Sequence, residues 1–482
     1  MATAAPYESS TRPRDALVAP AHMTRSSLRL IGSIALGNAL VPLNSTMIVV
    51  ALPAIARDAH ADLASASWLI TTYLIAMAAL QPIGGRLGDR FGRRRLMLGA
   101  LAYFGLASVG AALSGSLAML TFFRLQQALA GAIVLPNGLG ILRHAAGDRA
   151  GMHFGLMGAI SGVAASVGPL IGGLLVPIDW RLIFTVNVPI VAIAFTLAWS
   201  NVPHEEPHAR TTRFDVPGVV ALGLLLSGAA WVLTSFGHGI PDAPTLALGA
   251  AVIAGAVAFV RYENAHEDPA FPPGLFRVRA FTAANGAMCF SNLALYATIL
   301  AIPVLLADAA STLMIGVALF ALSAMGIVLG PVAGALIDRF GARWPTVLGG
   351  VLIVIGALAT GAVVTGEQLV VLLPSLLVLG SGVAFTFPAT RVGAIDTVAP
   401  RHAALASGVV STSRYFGGML GAIIASATLT AFAPASRGPV LFTVLAFSGV
   451  LTAIASLGMP GLARARRMSP VETEELPTPA GS

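Results

Sequence analysis

Long apolar runs alternate with short polar gaps along nearly the whole chain. The runs occupy 28–54, 66–84, 96–114, 117–141, 153–176, 182–200, 216–236, 244–261, 281–306, 312–336, 344–364, 368–390, 404–428 and 438–461. A bilayer's hydrocarbon core is about 30 Å thick, and a helix crosses it in about 20 residues. Each run reaches that length or comes close to it, so the pattern predicts fourteen transmembrane helices. Residues 1–27 are polar, carry Pro6, Pro13 and Pro20, and lack the apolar stretch of a signal peptide. They are expected to form a disordered cytosolic tail, with Met23 as an alternative start, and 462–482 a second cytosolic tail.

Composition agrees with the pattern. Hydrophobic residues make up 56% and charged residues 10% of 482, against about 25% charged in a soluble domain. That balance excludes both a soluble globule and a disordered chain. The single cysteine, Cys289, excludes an intrachain disulfide and a cysteine metal cluster. All 28 basic residues are arginine, and the net charge is +7. They lie in the gaps between apolar runs rather than in a stripe interleaved with aromatics, so no nucleic-acid partner is expected. With the amino terminus inside, 23 arginines fall on the cytosolic side and 3 outside (Arg57, Arg181 and Arg437), while Arg124 and Arg414 lie within spans. This bias fits the positive-inside rule. It requires an even number of spans with both termini cytosolic.

The gap after the second run reads Gly85-Arg-Leu-Gly-Asp89-Arg90-Phe-Gly92-Arg93-Arg94, and that after the tenth reads Gly334-Ala-Leu-Ile-Asp338-Arg339-Phe-Gly341-Ala-Arg343. Seven of ten positions are identical at an offset of 249. Such recurrence indicates structural repeats, as in many transporters. The offset maps the second span onto the tenth, which leaves two extra spans between two halves of six.

These motifs resemble those of the major facilitator superfamily, and more closely its fourteen-span drug/proton antiporter branch. Gly85–Arg95 is similar to the family's first cytosolic-loop signature. Gly168-Pro169-Leu-Ile-Gly172-Gly173 resembles the antiporter signature of the fifth span. Trp180-Arg181, Phe184, Asn187 and Pro189, with Phe214-Asp215, resemble further elements of the branch, as does Leu43-Asn44 through Pro53. Two signatures depart from the pattern: Asn44 stands where an aspartate is usual, and Ala128 and Ala130 replace glycines in Arg124-Leu-Gln-Gln127-Ala-Leu-Ala. The resemblance implies an all-α polytopic membrane protein with two six-helix bundles, 28–200 and 271–461, joined by a linker with two added helices, 201–270. It also implies export of a small, drug-like compound from the bacterial cytosol across the inner membrane. Transport would proceed by alternating access, coupled to protons and without a cofactor.

Several residues are candidates for that work. Gly85, Asp89, Arg90, Gly92 and Arg93, with Asp338 and Arg339, would form gating loops that latch one conformation, as the resemblance implies. Arg124 lies about 10 Å into its span and Asn44 about 9 Å from the same face, so they can share a depth. Arg124, Gln127, Asn44 and Arg414 are candidate coupling or cavity residues, because an intramembrane charge is costly and seeks a cavity or partner. Gly168, Gly172 and Gly173 suit close helix packing and Pro169 can kink the helix; as the antiporter resemblance implies, this pairing would seal the cavity. Tyr73, Asn137, Asn292, Tyr296 and Tyr415 are substrate candidates, and Asn38, Gln81, Asn285, Thr386 and Ser411 are further polar positions in spans. No aspartate or glutamate falls at a span centre. Asparagine does not titrate, so the proton carrier is sought among Asp89, Asp338, Asp308, Asp62 and His153. The missing acids also favour a uniporter or exchanger of an anionic or neutral metabolite as a second reading; a non-transporting membrane sensor or scaffold is a third. His204-Glu-Glu-Pro207-His208 has zinc-protease spacing, but Pro203 and Pro207 oppose the helix that chemistry needs, and no metal is expected.

Overall fold

The computed structural model describes residues 25–146, 150–203, 215–236, 242–266, 269, 271, 273–364, 369–398 and 403–461. The order is α1 (Arg25–Asp58), α2 (Leu63–Phe91), α3 (Arg93–Ala112), α4 (Leu117–Ala146), α5 (Ala150–Leu175), α6 (Leu182–Thr185), α7 (Asn187–Asn201), α8 (Val216–Phe236) and α9 (Ala243–Ala265). It continues with α10 (Arg279–Leu305), α11 (Thr312–Phe340), α12 (Arg343–Val363), α13 (Leu369–Ile395), α14 (Ala403–Ala431) and α15 (Pro434–Ser456). Among the described residues, eleven helices, counting α6 and α7 as one, are long and apolar enough to cross a membrane. The α2 and α5 helices carry shorter apolar stretches, Ser65–Gln81 and Gly162–Leu175. The α14 helix is 29 residues long and holds the polar run Ser411-Thr-Ser-Arg414.

Each neighbour pair in the first half recurs in the second. The α1 helix packs on α5 and α7, α2 on α4, and α3 on α4 and α7. In the same order, α10 packs on α14 and α15, α11 on α13, and α12 on α13 and α15. The halves meet where α5 lies on α11 and α2 on α14. The two added helices stand beside this seam: α8 packs on α2 and α14, and α9 on α8. Leu246, Ile253 and Val257 of α9 are exposed. They offer apolar surface to lipid.

The repeated motif is not the loop that the sequence suggested. The α2 helix runs through Gly85 and Asp89 to Phe91, and α11 runs through Asp338 to Phe340. Only Gly92 (φ 91°) and Gly341 (φ 76°) turn the chain, in the region that side chains rarely adopt. A Cβ on Gly85 would meet Pro136 at an ordinary 3.5 Å, whereas one on Gly84 or Gly88 would overlap Ala132 or Asn137. Close helix approach therefore depends on Gly84 and Gly88. In both copies the arginine stacks on the next ring: Arg90 lies 5.4 Å from Phe91 and Arg339 lies 5.3 Å from Phe340.

Candidate functional site

The first half is built around one buried guanidinium. Arg124 of α4 is 1% exposed, and its Nη1 donates to Gln127 Oε1 at 2.9 Å. The same oxygen accepts from Asn44 Nδ2 of α1 at 3.2 Å. Asn44 Oδ1 accepts from Asn187 Nδ2 of α7 at 3.0 Å, and Gln127 Nε2 donates to Ser108 Oγ of α3 at 2.9 Å. Arg124 Cζ sits 4.4 Å from the centre of the Tyr73 ring on α2. Five elements thus meet at one arginine through neutral groups. The sequence had brought Asn44 and Arg124 to one depth; Gln127 is the residue that joins them. Asn187 was noted only within a motif, and Ser108 was not singled out. Their one-dimensional signal was a polar residue in an apolar run, which many structural serines and asparagines share.

A second arginine stands across the seam. Arg414 of α14 has its Cζ 4.3 Å from the Tyr415 ring and 5.8 Å from the Phe387 ring of α13. Thr412 Oγ1 donates to the Ala78 carbonyl of α2 at 2.9 Å, so the two halves touch one turn away. Because α2 and α14 run in opposite directions, Tyr73 and Tyr415 both lie beyond this contact on the same side of it. Tyr73 interacts electrostatically with Tyr415, Tyr296, Arg124 and Arg414. Three substrate candidates, from α2, α10 and α14, therefore lie within electrostatic reach of one another, with Arg124 and Arg414 beside them. Ser413 Oγ donates to Asn285 Oδ1 at 2.8 Å and links α14 to α10.

The glycines of α5 meet both halves. A Cβ on Gly168 would lie 2.8 Å from the Leu43 carbonyl, and one on Gly172 3.1 Å from that of Met47. On Gly173 it would lie 2.9 Å from the Thr312 carbonyl of α11, and one on Gly316 of α11 would reach 2.5 Å from the carbonyl of Pro169. These are backbone-to-backbone contacts, which small residues alone permit. The Gly173 and Gly316 contacts bring the two halves together at the end of α5 that lies on the arginine-poor face.

The family model for the Major Facilitator Superfamily matches residues 34–260 and 284–481. The chain belongs to the Major Facilitator Superfamily. As a member it is a multi-pass membrane transporter, not an enzyme, and such transporters carry small molecules across a lipid bilayer. It is 33% identical over 443 residues to the MFS-type transporter YvkA of Bacillus subtilis (strain 168), covering 90% of this chain and 97% of that one. It is 30% identical over 431 residues to the tetracenomycin C resistance and export protein of Streptomyces glaucescens, covering 86% and 79%. To the puromycin resistance protein pur8 of Streptomyces alboniger it is 31% identical over 409 residues, covering 81% and 79%. In structure it resembles the nucleoside transporter NupG, with a TM-score of 0.62 at 15% identity, covering 90% of this chain and 99% of that one. That likeness concerns the fold.

Other candidate residues of this transporter lie elsewhere. Asn137 is fully buried, and its Nδ2 donates to the carbonyls of Gly84 and Ile133 at 2.7 Å, so it fastens α4 to α2. Asn292 donates to the Met288 carbonyl of its own helix at 2.9 Å. Thr386 bonds the Gly382 carbonyl at 2.8 Å, against Gly349. Asn38 is buried between α1 and α4, against Gly138. Asp62 caps α2 by accepting from the Ser65 N–H at 2.9 Å, while Asp308, Asp338 and Arg339 are exposed. Arg93 lies over Gly140 of α4. The side chains of Asp89 and His153, and residues 204–208, lie outside the described set. The sequence places the acids in tails, loops or span ends, which leaves their burial open. Asp215 and Glu263 are 3% and 1% exposed. Asp215 Oδ1 accepts from Tyr262 Oη at 2.8 Å, and Glu263 Oε2 from the Phe271 N–H at 3.1 Å. No group of three or more metal-ligating side chains occurs among the described residues.

Proposed function

We propose that this transporter exports a small, drug-like organic compound across the bacterial inner membrane by alternating access, driven by proton entry. Residues 28–200 and 271–461 act as the two moving halves, with 201–270 as the added linker and both termini cytosolic. Similarity to named resistance and export proteins over about four-fifths of each carries the reading. The geometry supports it: polar groups of both halves converge on one seam, and glycine contacts close that seam at one end. In this reading the Asp89–Arg93 and Asp338–Arg339 ends of α2 and α11 serve as latches of the opposite face. One observation favours a second cargo class, an anionic or neutral metabolite: Arg124 is held by amides and a ring, not by a carboxylate.

The test is tetracenomycin C efflux from proteoliposomes holding the purified full chain, under an imposed pH gradient. Gradient-driven flux absent from protein-free vesicles is expected, with collapse when an ionophore dissipates the gradient. Flux unchanged by the ionophore removes the proton. No flux of tetracenomycin C, puromycin or any organic anion through folded protein removes export. Arg124→Ala is expected to reduce flux while leaving a folded, monodisperse protein.

A further inference from the structure

Among the described residues, the centre of this transporter carries positive charge with no ion-pair partner. Arg124 and Arg414 face the seam from opposite halves, and Arg391 of α13 joins them, with its Nη2 donating to Ser407 Oγ at 3.2 Å and its charge felt by Arg414. Every aspartate and glutamate of the chain lies in a tail, a connection or the last turn of a helix. An intramembrane charge is costly unless something offsets it. Arg124 is met by an amide oxygen, the Leu69 carbonyl at 3.5 Å and the Tyr73 ring face. Arg414 rests on the faces of Tyr415 and Phe387. Neither arrangement supplies a countercharge.

The walls between the arginines are aromatic. Tyr73, Tyr296 and Tyr415 come from three helices, and Gly418 leaves room for one of them, since a Cβ there would sit 2.9 Å from the Tyr296 ring. Tyr73 is 1% exposed, and its hydroxyl has no hydrogen-bond partner among the described residues. An unanswered buried hydroxyl is expensive, and an acceptor brought by a ligand would satisfy it. Tyrosine faces can also attract cations. Here, however, guanidinium groups already cover Tyr73 and Tyr415, so an incoming cation would meet like charge. Arg414 is the more accessible of the two seam arginines, being half-buried where Arg124 is sealed.

We propose that the seam binds its cargo as an anion: a planar aromatic acid whose acidic group pairs with Arg414 and whose ring lies among Tyr73, Tyr296 and Tyr415. The Tyr73 hydroxyl donates to an oxygen of the cargo. Arg124, held by Gln127 and the Leu69 carbonyl, acts as a positioning residue that holds Tyr73 by its ring. This names the substrate class of the export reading and rests on that reading for the movement of cargo, though not for its binding.

The test compares three probes that differ only in charge: 1-pyrenecarboxylate, 1-pyrenemethanol and 1-pyrenemethylammonium. Binding to the purified full chain is read at pH 7 by energy transfer from tryptophan to pyrene, and movement by efflux from proteoliposomes. The carboxylate is expected to bind about tenfold tighter than the alcohol, and the ammonium weakest. Arg414→Gln should abolish that preference and leave alcohol binding in place, while Arg414→Lys should keep part of it. Tyr73→Phe, which keeps the ring, should weaken carboxylate binding several-fold and serves if Arg414→Gln fails to fold. Ammonium binding as tight as the carboxylate's overturns the proposal. So does a preference that survives Arg414→Gln in a protein that still binds the alcohol. Carboxylate binding without efflux leaves the site standing and removes export. Efflux of the ammonium probe without carboxylate binding removes the site and leaves export standing.

Discussion

Arg94 Nη2 donates to the Trp199 carbonyl at 2.6 Å, tying the first turn of α3 to the last turns of α7. The guanidinium also covers the Trp199 ring, with Cζ 5.3 Å from its centre. At an offset of 249, Arg343 Nε donates to the Met459 carbonyl at 2.8 Å and ties α12 to the end of α15. The last arginine of each repeated motif thus fastens the third helix of its half to the sixth. A carbonyl near a helix end has no partner within the helix, and a cation there also meets the negative end of the dipole.

Loss of these clasps should be visible as stability. Arg343→Ala is expected to cost about 2 kcal/mol, the usual range for a hydrogen bond to a charged group. Arg343→Lys should recover part of it. Thermal unfolding in detergent reads the effect. An unchanged midpoint for Arg343→Ala would show that Met459 finds its donor in water.

Asn44 and Asn187 make a second cross-chain bond, at 3.0 Å over 143 residues. Asn44→Leu removes two of the bonds that hold α1 to α4 and α7 and should lower stability by about 1–3 kcal/mol. Asn44→Asp instead adds the countercharge that the seam lacks. It should narrow the probe preference, weakening pyrenecarboxylate and strengthening the ammonium in the same tryptophan-transfer titration, while Arg414 still sets the order. An unchanged ratio of affinities would mean that Arg124's charge is not felt by the cargo.

Gly316 has no room for a side chain. A Cβ there would lie 2.5 Å from the Pro169 carbonyl, and backbone cannot swing aside. Gly316→Ala should force α5 and α11 apart at their arginine-poor ends. The predicted readouts are increased labelling of a cysteine placed at Thr312 and reduced transport. Labelling equal to that of the Thr312→Cys parent would rule out a closed seam there.

Asp242 caps α9 by accepting from the Thr245 N–H at 3.0 Å. Hydrogen bonds from Thr245 hold its carboxyl below the usual range. A depressed acid contributes stability above its unfolded pKa, and the contribution fades as pH falls through the folded value. Asp242→Ala should therefore lower the unfolding midpoint at pH 7. The gap between variant and parent should close only below about pH 4, under the unperturbed carboxylate pKa. A gap independent of pH would assign the cap to geometry rather than charge.

Span count, the repeat and the family were legible in one dimension, because each depends on quantities that run along the chain. Apolar length sets whether a segment can cross a bilayer, and arginine bias between gaps sets how crossings alternate. Depth was legible too, which is why Asn44 and Arg124 could be placed at one level. Azimuth was not. A helix apolar on nearly every side, such as α4, carries no stripe to show which way Arg124, Gln127 or Asn137 points. Only packing decided that Gln127 Oε1 serves both Arg124 and Asn44, that Asn137 turns to the backbone of α2, and that Asp215 and Glu263 are buried despite lying at span ends. The same holds for the tyrosines of α2, α10 and α14, whose meeting beside two arginines follows from how the halves close on each other. Hydropathy is a property of a residue and its neighbours in sequence; a hydrogen bond or a countercharge belongs to groups that the chain brings together from far apart.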